Sequence, residues 1–402
     1  MTGGEKSFIE KGNHFHRYLE YASAVLIKYK GEEPFHRYLK KYFSSNKKHG
    51  SRDRKIITSL CYNYFRLGFG VISPIAATER LLLGIFLAEN KSSLLPKLLK
   101  PELKEKIDLE LSEKTELLKK VFNAEEIFPF KDELSNEIDF HKFSLSFLVQ
   151  PKLFIRIRPG NRNAVFDKLK SANILFEEVN NTCLSFSNTE KITELISIDK
   201  EAVIQDCNSQ RTGDLLTSYI KHPTSNISVW DCCAASGGKS ILAYDLFKNI
   251  ELTVSDIRTN ILENLKGRFM KAGIKNYNSF VCDLSVSFPS KQPNLNPDII
   301  IADVPCSGSG TWARSPEQLH FFSKKSIEKY VILQQNIVQH ASGVLKPGGY
   351  FLYITCSVFK KENEENVAFI EKKLQLHLIK AGYLKGYEIH ADTLFAALFQ
   401  KK

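Results

Sequence analysis

Two cysteines stand where a thiol could do chemistry. Cys306 lies in DIIIADVPCSGSGTWAR (298–314) and Cys356 in GYFLYITCSV (349–358). Each follows an apolar run of the kind that forms a buried strand. A lone cysteine in such a place is ordinarily a small core residue. Two of them, one in Pro-Cys-Ser-Gly and one in Thr-Cys-Ser, point instead to covalent catalysis. One thiolate would attack an electrophilic carbon, and the second thiol would help the adduct break. A free thiol has a pKa of about 8.5, so the site must activate the attacking one. Acids share the neighbourhood: Asp256, Asp283 and Asp303 each end a predicted strand, and Asp231 stands at the first. Helix capping explains one such acid, but several in register point into a common crevice.

The first of these strands runs into Asp231-Cys232-Cys233-Ala234-Ala235-Ser236-Gly237-Gly238-Lys239-Ser240. Small residues and paired glycines let the backbone turn sharply and approach a ligand. The helix after the turn offers unpaired N–H groups to a carboxylate or phosphate. The spacing is neither that of a P-loop nor that of the G-x-G-x-x-G fingerprint. Asp256 follows Gly238 by 18 positions, which is where ribose hydroxyls are held in doubly wound folds.

From about residue 207 strands and helices alternate. Strands are expected at 229–233, 252–256, 279–283, 298–303 and 350–355, with helices at 261–272 and 325–344. That order predicts an α/β domain with a parallel, doubly wound sheet and ligands at the carboxyl ends of its strands. Residues 141–206 read differently. LFIRIR (153–158), a helix over 162–171, strands at 176–179 and 183–186 joined by Asn180-Asn181, a second helix over 189–196 and a strand at 202–205 give a β-α-β-β-α-β order. That order suits a small ferredoxin-like α+β module. Residues 1 to about 140 are helical by spacing, at 15–29, 35–43, 56–67 and 78–86, and 100–140 is Lys- and Glu-rich. FHRYL occurs twice, at 15–19 and 35–39, which is too short a match to signal repeats.

The 402 residues suffice for two or three domains. The formal charge is +11, and residues 1–60 carry 13 Lys and Arg against six acids. This excess favours a polyanionic partner. The eight cysteines form no CxxC pair, which argues against a zinc site and against a secreted disulfide scaffold. Met1–Gly12 is polar, and the apolar stretch 71–87 is interrupted by Pro74, Glu79 and Arg80. The chain is therefore expected to be cytoplasmic, with no membrane span and no metal. Nothing in it calls for more than a monomer.

Four segments carry a resemblance. DCCAASGGK, SDIRTNILENLKGRFMKAGI, DVPCSGSGTWARSPEQ and YITCSVFKKENEENV resemble successive motifs of the RNA cytosine-5 methyltransferases of the Sun/Nop group. Ile204–Leu216 (IQDCNSQRTGDLL) resembles that family's lead-in motif, and Asp392–Ala397 (DTLFAA) its terminal strand motif. The likeness covers about residues 145–402. It implies a class I S-adenosyl-L-methionine-dependent methyltransferase domain with a Rossmann-like sheet. In the family the Thr-Cys cysteine is the nucleophile and the Pro-Cys cysteine promotes product release, roles that fall to Cys356 and Cys306. Carbon 5 of cytosine is a poor nucleophile toward a methyl sulfonium. Thiolate addition at carbon 6 makes the ring enamine-like, and a carboxyl group near ring nitrogen 3, Asp303, would stabilise the adduct. The resemblance also implies that Cys233, Ala234, Ala235, Ser236, Gly237, Gly238 and Lys239 cradle the cofactor. Asp256 would bind its ribose, with Arg258 and Asp303 close by and Asp283 beside the adenine, and Lys239 would also sit near the active site. Two departures stand out: Ser236 replaces the family's usual proline, and Thr393-Leu394-Phe395 replaces Gly-Phe-Phe.

Residues 1–140 resemble the NusB-like helical domain of the bacterial 16S rRNA members, best at Ser51–Arg66 (SRDRKIITSLCYNYFR). This implies three domains: 1–140 helical and RNA-binding, 141–206 ferredoxin-like, and 207–402 catalytic. It also implies ribosomal RNA as partner, with tRNA the alternative. The target base would have to be unstacked or flipped. Three rival readings make other demands. An amine methyltransferase needs Pro-Pro and an aromatic after the fourth strand, which Asp303-Val304-Pro305-Cys306 does not supply. A DNA cytosine methyltransferase would make Cys306 the nucleophile. An RNA-binding assembly factor that has lost catalysis would not need Asp303, Cys306 and Cys356 intact.

Overall fold

The computed structural model describes residues 16–91, 93–220, 226–247, 249–287 and 295–402. Met1–Gly12 and Phe15, the expected start of the first helix and of the first FHRYL, lie outside these residues. The chain forms two compact units. One gathers the chain up to Asp132 with Asp139–Gln150 and Trp312–Ser323, and the other holds Glu133–Ile138, Pro151–Thr311 and Lys324–Lys402. Residues 151–206 therefore fold with the larger sheet, and the helical unit reclaims a segment that follows the Cys306 loop.

The helical unit holds α1 (His16–Lys28), α2 (Phe35–Ser45), α3 (Ser51–Arg66), α4 (Ala77–Ala88), the short α5 (Pro101–Lys104), α6 (Leu111–Leu117) and α7 (Phe140–Ser146), and α12 (Glu317–Phe321). In α2 the apolar residues recur every fourth position, so Phe35, Leu39 and Phe43 are buried while Arg37, Lys40 and Lys41 are exposed. At the start of α3, Asp53 accepts the Gly50 N–H at 3.0 Å, which fixes where the helix begins. Arg66 ends α3 fully buried. Its guanidinium donates to the carbonyls of Phe147 (2.9 Å), Val149 (3.2 Å) and Ala313 (2.8 Å) and to the Gln150 side chain. Burial pushes Arg66 down to about 10, yet it stays charged. Trp312 is buried against Phe128 and Phe322, with ring centroids 6.1 and 4.8 Å apart. The segment 312–323 is thus held by one cation and an aromatic cluster. The Lys- and Glu-rich stretch 100–140 forms only short helices and 3-10 turns.

In the mixed unit, β1 (Leu153–Ile157), β2 (Glu177–Glu178), β3 (Cys183–Phe186) and β4 (Ala202–Ile204) form an antiparallel sheet in the order β2-β3-β1-β4, with α8 (Arg162–Ser171) between β1 and β2. This is the ferredoxin-like strand order, with one correction. The helix expected over 189–196 is a single 3-10 turn, Ile192–Glu194. Ser187 and Thr189 hydrogen-bond one another and the local backbone, which favours a turn over a helix.

The larger sheet has the order β10-β11-β9-β8-β5-β6-β7. Its strands are β5 (Ile227–Asp231), β6 (Ile250–Asp256), β7 (Tyr277–Val281), β8 (Ile299–Asp303), β9 (Tyr350–Thr355), β10 (Leu376–Leu384) and β11 (Leu394–Lys401). Helices α9 (Cys207–Tyr219), α10 (Gly238–Phe247), α11 (Thr259–Ala272), α13 (Ser326–Gly343) and α14 (Glu364–Lys373) accompany it. β5 to β9 pair in parallel, and the buried β5, β8 and β9 have the apolar character that such pairing favours. The sheet is nevertheless mixed, because β11 runs antiparallel to β9 and to β10. β5 also ends at Asp231 rather than at residue 233, so the ligand turn begins two residues earlier than the pattern implies.

Replacing Arg66 by Met leaves its buried carbonyl acceptors without a donor. The expected cost is about 2–4 kcal/mol. Urea denaturation should show the loss, and hydrogen exchange should place it in α3 and in residues 140–150.

Candidate active site

β8 and β9 are neighbours, with Asp303 opposite Ile354, so the chain leaves both strands at the same edge and side by side. The Val304 N–H donates to the Ile354 carbonyl at 3.1 Å, and the Gly310 N–H donates to the Cys356 carbonyl at 2.8 Å. These bonds bring the two loops together. The sulfurs of Cys306 and Cys356 stand 3.3 Å apart, and the Cys356 N–H points to the Cys306 sulfur, also at 3.3 Å. Gly310 must be glycine, because a Cβ there would lie 2.0 Å from the Thr393 carbonyl oxygen. The neighbouring Cys356 sulfur and burial push the Cys306 thiol well above its usual value, and the Glu362 carboxylate adds to this. Cys306 therefore keeps its proton at neutral pH.

Lys239, in the first turn of α10, is almost fully buried. Its ammonium donates to Asp303 at 2.9 Å and to the Ser209 hydroxyl at 2.7 Å. Asp303 is the last residue of β8 and is partly exposed. The structure thus brings together Lys239, Asp303, Cys306 and Cys356, the four residues the sequence marks for catalysis. Ser209 and Glu362 carry no such mark. Both lie in the quoted motifs, but helical spacing alone does not tell which α9 residue meets a lysine on α10. Nor does it show that Glu362 turns beneath the thiols.

The small-residue turn follows β5. Ala234 donates to the Ser255 carbonyl at 2.9 Å, and Ala235 takes a left-handed φ of 45° with its N–H on Asp256 at 3.0 Å. Gly237 has φ 84°, and a Cβ there would press on Phe269 at 2.8 Å. A Cβ on Gly238 would meet nothing within 4 Å, so the turn faces open space where α10 begins. Asp256 is buried at the end of β6. Burial pushes its carboxyl up, but the Arg258 guanidinium and the N–H groups of Arg258 and Ala235 outweigh this, and it lies below the usual carboxylate range. Arg258 clamps Asp256 at 2.9 and 3.1 Å and is itself largely exposed. Cys233 is half-buried beside the turn. Asp283 differs from expectation. β7 stops at Val281, and Asp283 is an exposed loop residue that accepts from Ser285.

Ser236, the residue in place of the family's proline, gains a partner. Arg268 donates to its hydroxyl at 3.0 Å and to its carbonyl at 2.9 Å, while also gripping Asp199 at 2.7 Å. The turn is thereby tied to the ferredoxin-like module. An anionic acceptor at a strand end, a tight turn and open space at a ten-residue helix start fit a nucleoside with an amino-acid tail. Among the described residues no group of three metal-ligating side chains occurs, and no helix is long and apolar enough to cross a membrane.

Residues 218–393 match the family model described as 16S rRNA methyltransferase RsmB/F. Through these residues the chain is similar to the RNA cytosine-5 methyltransferases. Two similar relatives are the ribosomal RNA small subunit methyltransferase B of Shewanella oneidensis and human NSUN6, a tRNA (cytosine(72)-C(5))-methyltransferase. The first is 30% identical over 171 residues, 42% of this chain and 38% of its own length. The second is also 30% identical over 171 residues, 40% of this chain and 36% of its own. The chain therefore spans well under half the length of the relatives it matches. The solved structure of PH0851 has a similar fold, with a TM-score of 0.68 over 96% of this chain and 97% of its own at 19% identity. The matched stretch contains Lys239, Asp256, Asp303, Cys306 and Cys356.

Asp231, fully buried at the end of β5, is pushed up to about 7 by burial, with Asp303 adding to this and the Ser240 hydroxyl opposing it. The folded chain then holds a proton that the unfolded chain releases near pH 4. Stability should therefore fall as pH rises through that window. Asp231→Asn removes the dependence. The melting temperature of the variant relative to the parent should be higher at pH 8 than at pH 4.5, by about a few °C.

Proposed function

We propose that this chain is an S-adenosylmethionine-dependent methyltransferase that modifies carbon 5 of a cytosine in ribosomal RNA. The observation that supports this most is the pair of thiols 3.3 Å apart at adjacent strand ends, close in the chain to a Lys239-held Asp303. A metal-free covalent route needs a nucleophile, a group to break the adduct and an acid for the ring, and these residues supply all three.

The Cys356 thiolate adds to carbon 6, and the carbon 5–carbon 6 electron pair moves into an enamine-like system. Nitrogen 3 takes a proton relayed through Asp303 from the Lys239 ammonium bonded to it, which neutralises the charge of the adduct, and the proton returns by the same path when the adduct breaks. The cofactor supplies an electrophilic methyl group when bound. Asp256 would accept its ribose hydroxyls, and the turn 233–238 would hold its amino-acid end. After transfer, the carbon 5 proton leaves and the carbon–sulfur bond breaks. Cys306, still protonated beside the departing sulfur, gives it a proton, and the resulting thiolate takes the proton from carbon 5. Cys306 ends as it began, and Cys356, left as a thiol, gives up that proton to solvent before the next attack.

The helical unit and the ferredoxin-like module would grip the RNA. Between His36 and Lys55 the chain carries eight Lys and Arg against one acid, Asp53, and all eight are exposed. Such a face suits phosphates. Human NSUN6 is named for tRNA, which keeps tRNA as the second reading of the substrate.

Tritium transfer from labelled cofactor to bulk RNA tests the activity, and tight RNA binding without transfer would instead mark an inactive assembly factor. Cys356→Ala should abolish transfer. Cys306→Ala should accumulate a protein–RNA adduct that survives denaturing gels, whereas the reverse pattern would make Cys306 the nucleophile. Replacing Arg37, Lys40, Lys47 and Arg52 by Gln should weaken RNA binding and flatten its salt dependence. The slope of log K against log salt should fall by about 0.7–0.9 for each phosphate no longer neutralised.

A further inference from the structure

Beneath the thiols lies a carboxylate that the proposed reaction does not use. Glu362 is fully buried, six residues after Cys356. One oxygen accepts the Ser307 N–H at 3.0 Å and the Gln334 amide at 2.8 Å, and the other accepts the Ser357 hydroxyl at 2.7 Å. Ser307 follows Cys306 directly, and Ser357 follows Cys356. A single carboxyl group therefore joins the residues next to both thiols. Three serines extend the joint: Ser307 donates to Ser357 and Ser309 at 3.1 Å, and Ser309 accepts the Val358 N–H at 2.9 Å.

A neutral link would join two loops at less cost. A buried carboxylate demands donors on both oxygens and brings a charge into a dry site. Among the described residues no Lys or Arg is bonded to Glu362; its partners are an amide, a peptide N–H and a hydroxyl. All three donate to it, so it acts as an acceptor on both oxygens, as an ionised carboxyl group does. The charge is thus stabilised by dipoles alone and stays fixed next to the thiols. The titratable groups facing this spot are Cys306, Cys356, Tyr330 and Tyr353.

We propose that Glu362 is a positioning residue for the thiol pair, binding the Pro-Cys-Ser loop to the Thr-Cys-Ser loop and setting a negative charge against Cys306. It lets Cys306 serve as the proton donor and leaves attack to Cys356. This rests on the covalent reading above, but its test does not need turnover.

The test compares the full-length parent with Glu362→Gln, which keeps the shape and removes the charge. Iodoacetamide alkylation of Cys306 and Cys356 is followed by mass spectrometry from pH 6 to 10, without RNA. Fluorescence titration with S-adenosylmethionine checks that the variant is folded. In the parent, Cys356 should react at lower pH than Cys306. In the variant, Cys306 alkylation should move to lower pH by about one unit, as loss of a buried like charge requires. Where the parent methylates RNA, the variant's kcat should fall about tenfold or more with KM for RNA unchanged. Ser357→Ala, which removes one donor but keeps the charge, should leave the Cys306 pH midpoint in place. An unchanged Cys306 profile in a Glu362→Gln protein that binds cofactor would overturn the proposal, as would a midpoint that shifts equally in Ser357→Ala. An inactive parent that shows the alkylation shift would sink the methyltransferase reading and leave this one standing.

Discussion

The parallel pairing of β8 with β9 is the constraint on which the site depends. Neighbouring strands lie about 4.8 Å apart, and parallel neighbours end at the same edge of the sheet. Residues three after Ile300 and Phe351, which are register partners, therefore emerge together. From there the chain needs only short loops to set two sulfurs side by side. Three features then hold that pairing. Gly310 brings its N–H onto the Cys356 carbonyl, Glu362 ties the serines after each cysteine, and Asn363 accepts from Thr355 at 2.6 Å and donates to the Ser357 carbonyl at 2.8 Å. A thiol pair on one flexible loop would lose its geometry by side-chain rotation alone. On two strand ends, moving the two loops apart means breaking backbone hydrogen bonds.

The ferredoxin-like module is fastened to this scaffold by charge as well as by apolar packing, in which Phe154 and Cys183 meet Cys207 and Ala391. Arg156 and Arg158 share Asp245 on α10, at 2.6 and 2.8 Å, with all three side chains at most a tenth exposed. Arg268 on α11 holds Asp199, which sits in the turn before β4. Buried ion pairs of this kind add little net stability but strongly penalise any other register. Arg156 also donates to Gln205 at 2.9 Å, Gln205 to Ser209 at 3.3 Å, and Lys239 to both Ser209 and Asp303. An unbroken polar chain therefore runs from a strand of the module to the acid that ends β8. It fixes the Lys239 ammonium against a single carboxylate, and it couples module placement to the orientation of Asp303.

The sheet is legible in the sequence where each strand reports its own environment. β5, β8 and β9 are largely buried apolar runs because both their faces are covered, and their ends fall at acids and small residues. β10 is not legible, because at the sheet edge it carries half-buried and exposed residues such as Lys380 and Gly382, without a strand's alternation. Asp283 reads as a strand end because Phe280-Val281-Cys282 is apolar, but β7 is also an edge strand and stops where pairing with β6 stops, at Asp256 opposite Val281. The cysteines and Asp303 are legible because their residue types carry the chemistry, and Lys239 through the resemblance of the motif that holds it. Ser209, Glu362 and Arg268 are not, because each acts through a partner that spacing does not reveal. Arg268 is one more basic residue on a helix until the fold brings Asp199 and Ser236 to it.

The two thiols differ although each follows a strand end in a small polar loop. Cys306 receives the Cys356 N–H, lies against the second sulfur and faces the buried carboxylate. Only one of these, the N–H, favours a thiolate, and the other two oppose it more strongly. The peptide N–H of Cys356 is directed at the Cys306 sulfur, so backbone and side chain together set the difference. A pair of equivalent thiols would compete for the same carbon and share one proton without preference. With the proton held on Cys306 the two thiols are chemically distinct, and the proposed covalent route would draw its nucleophile from one and its proton from the other.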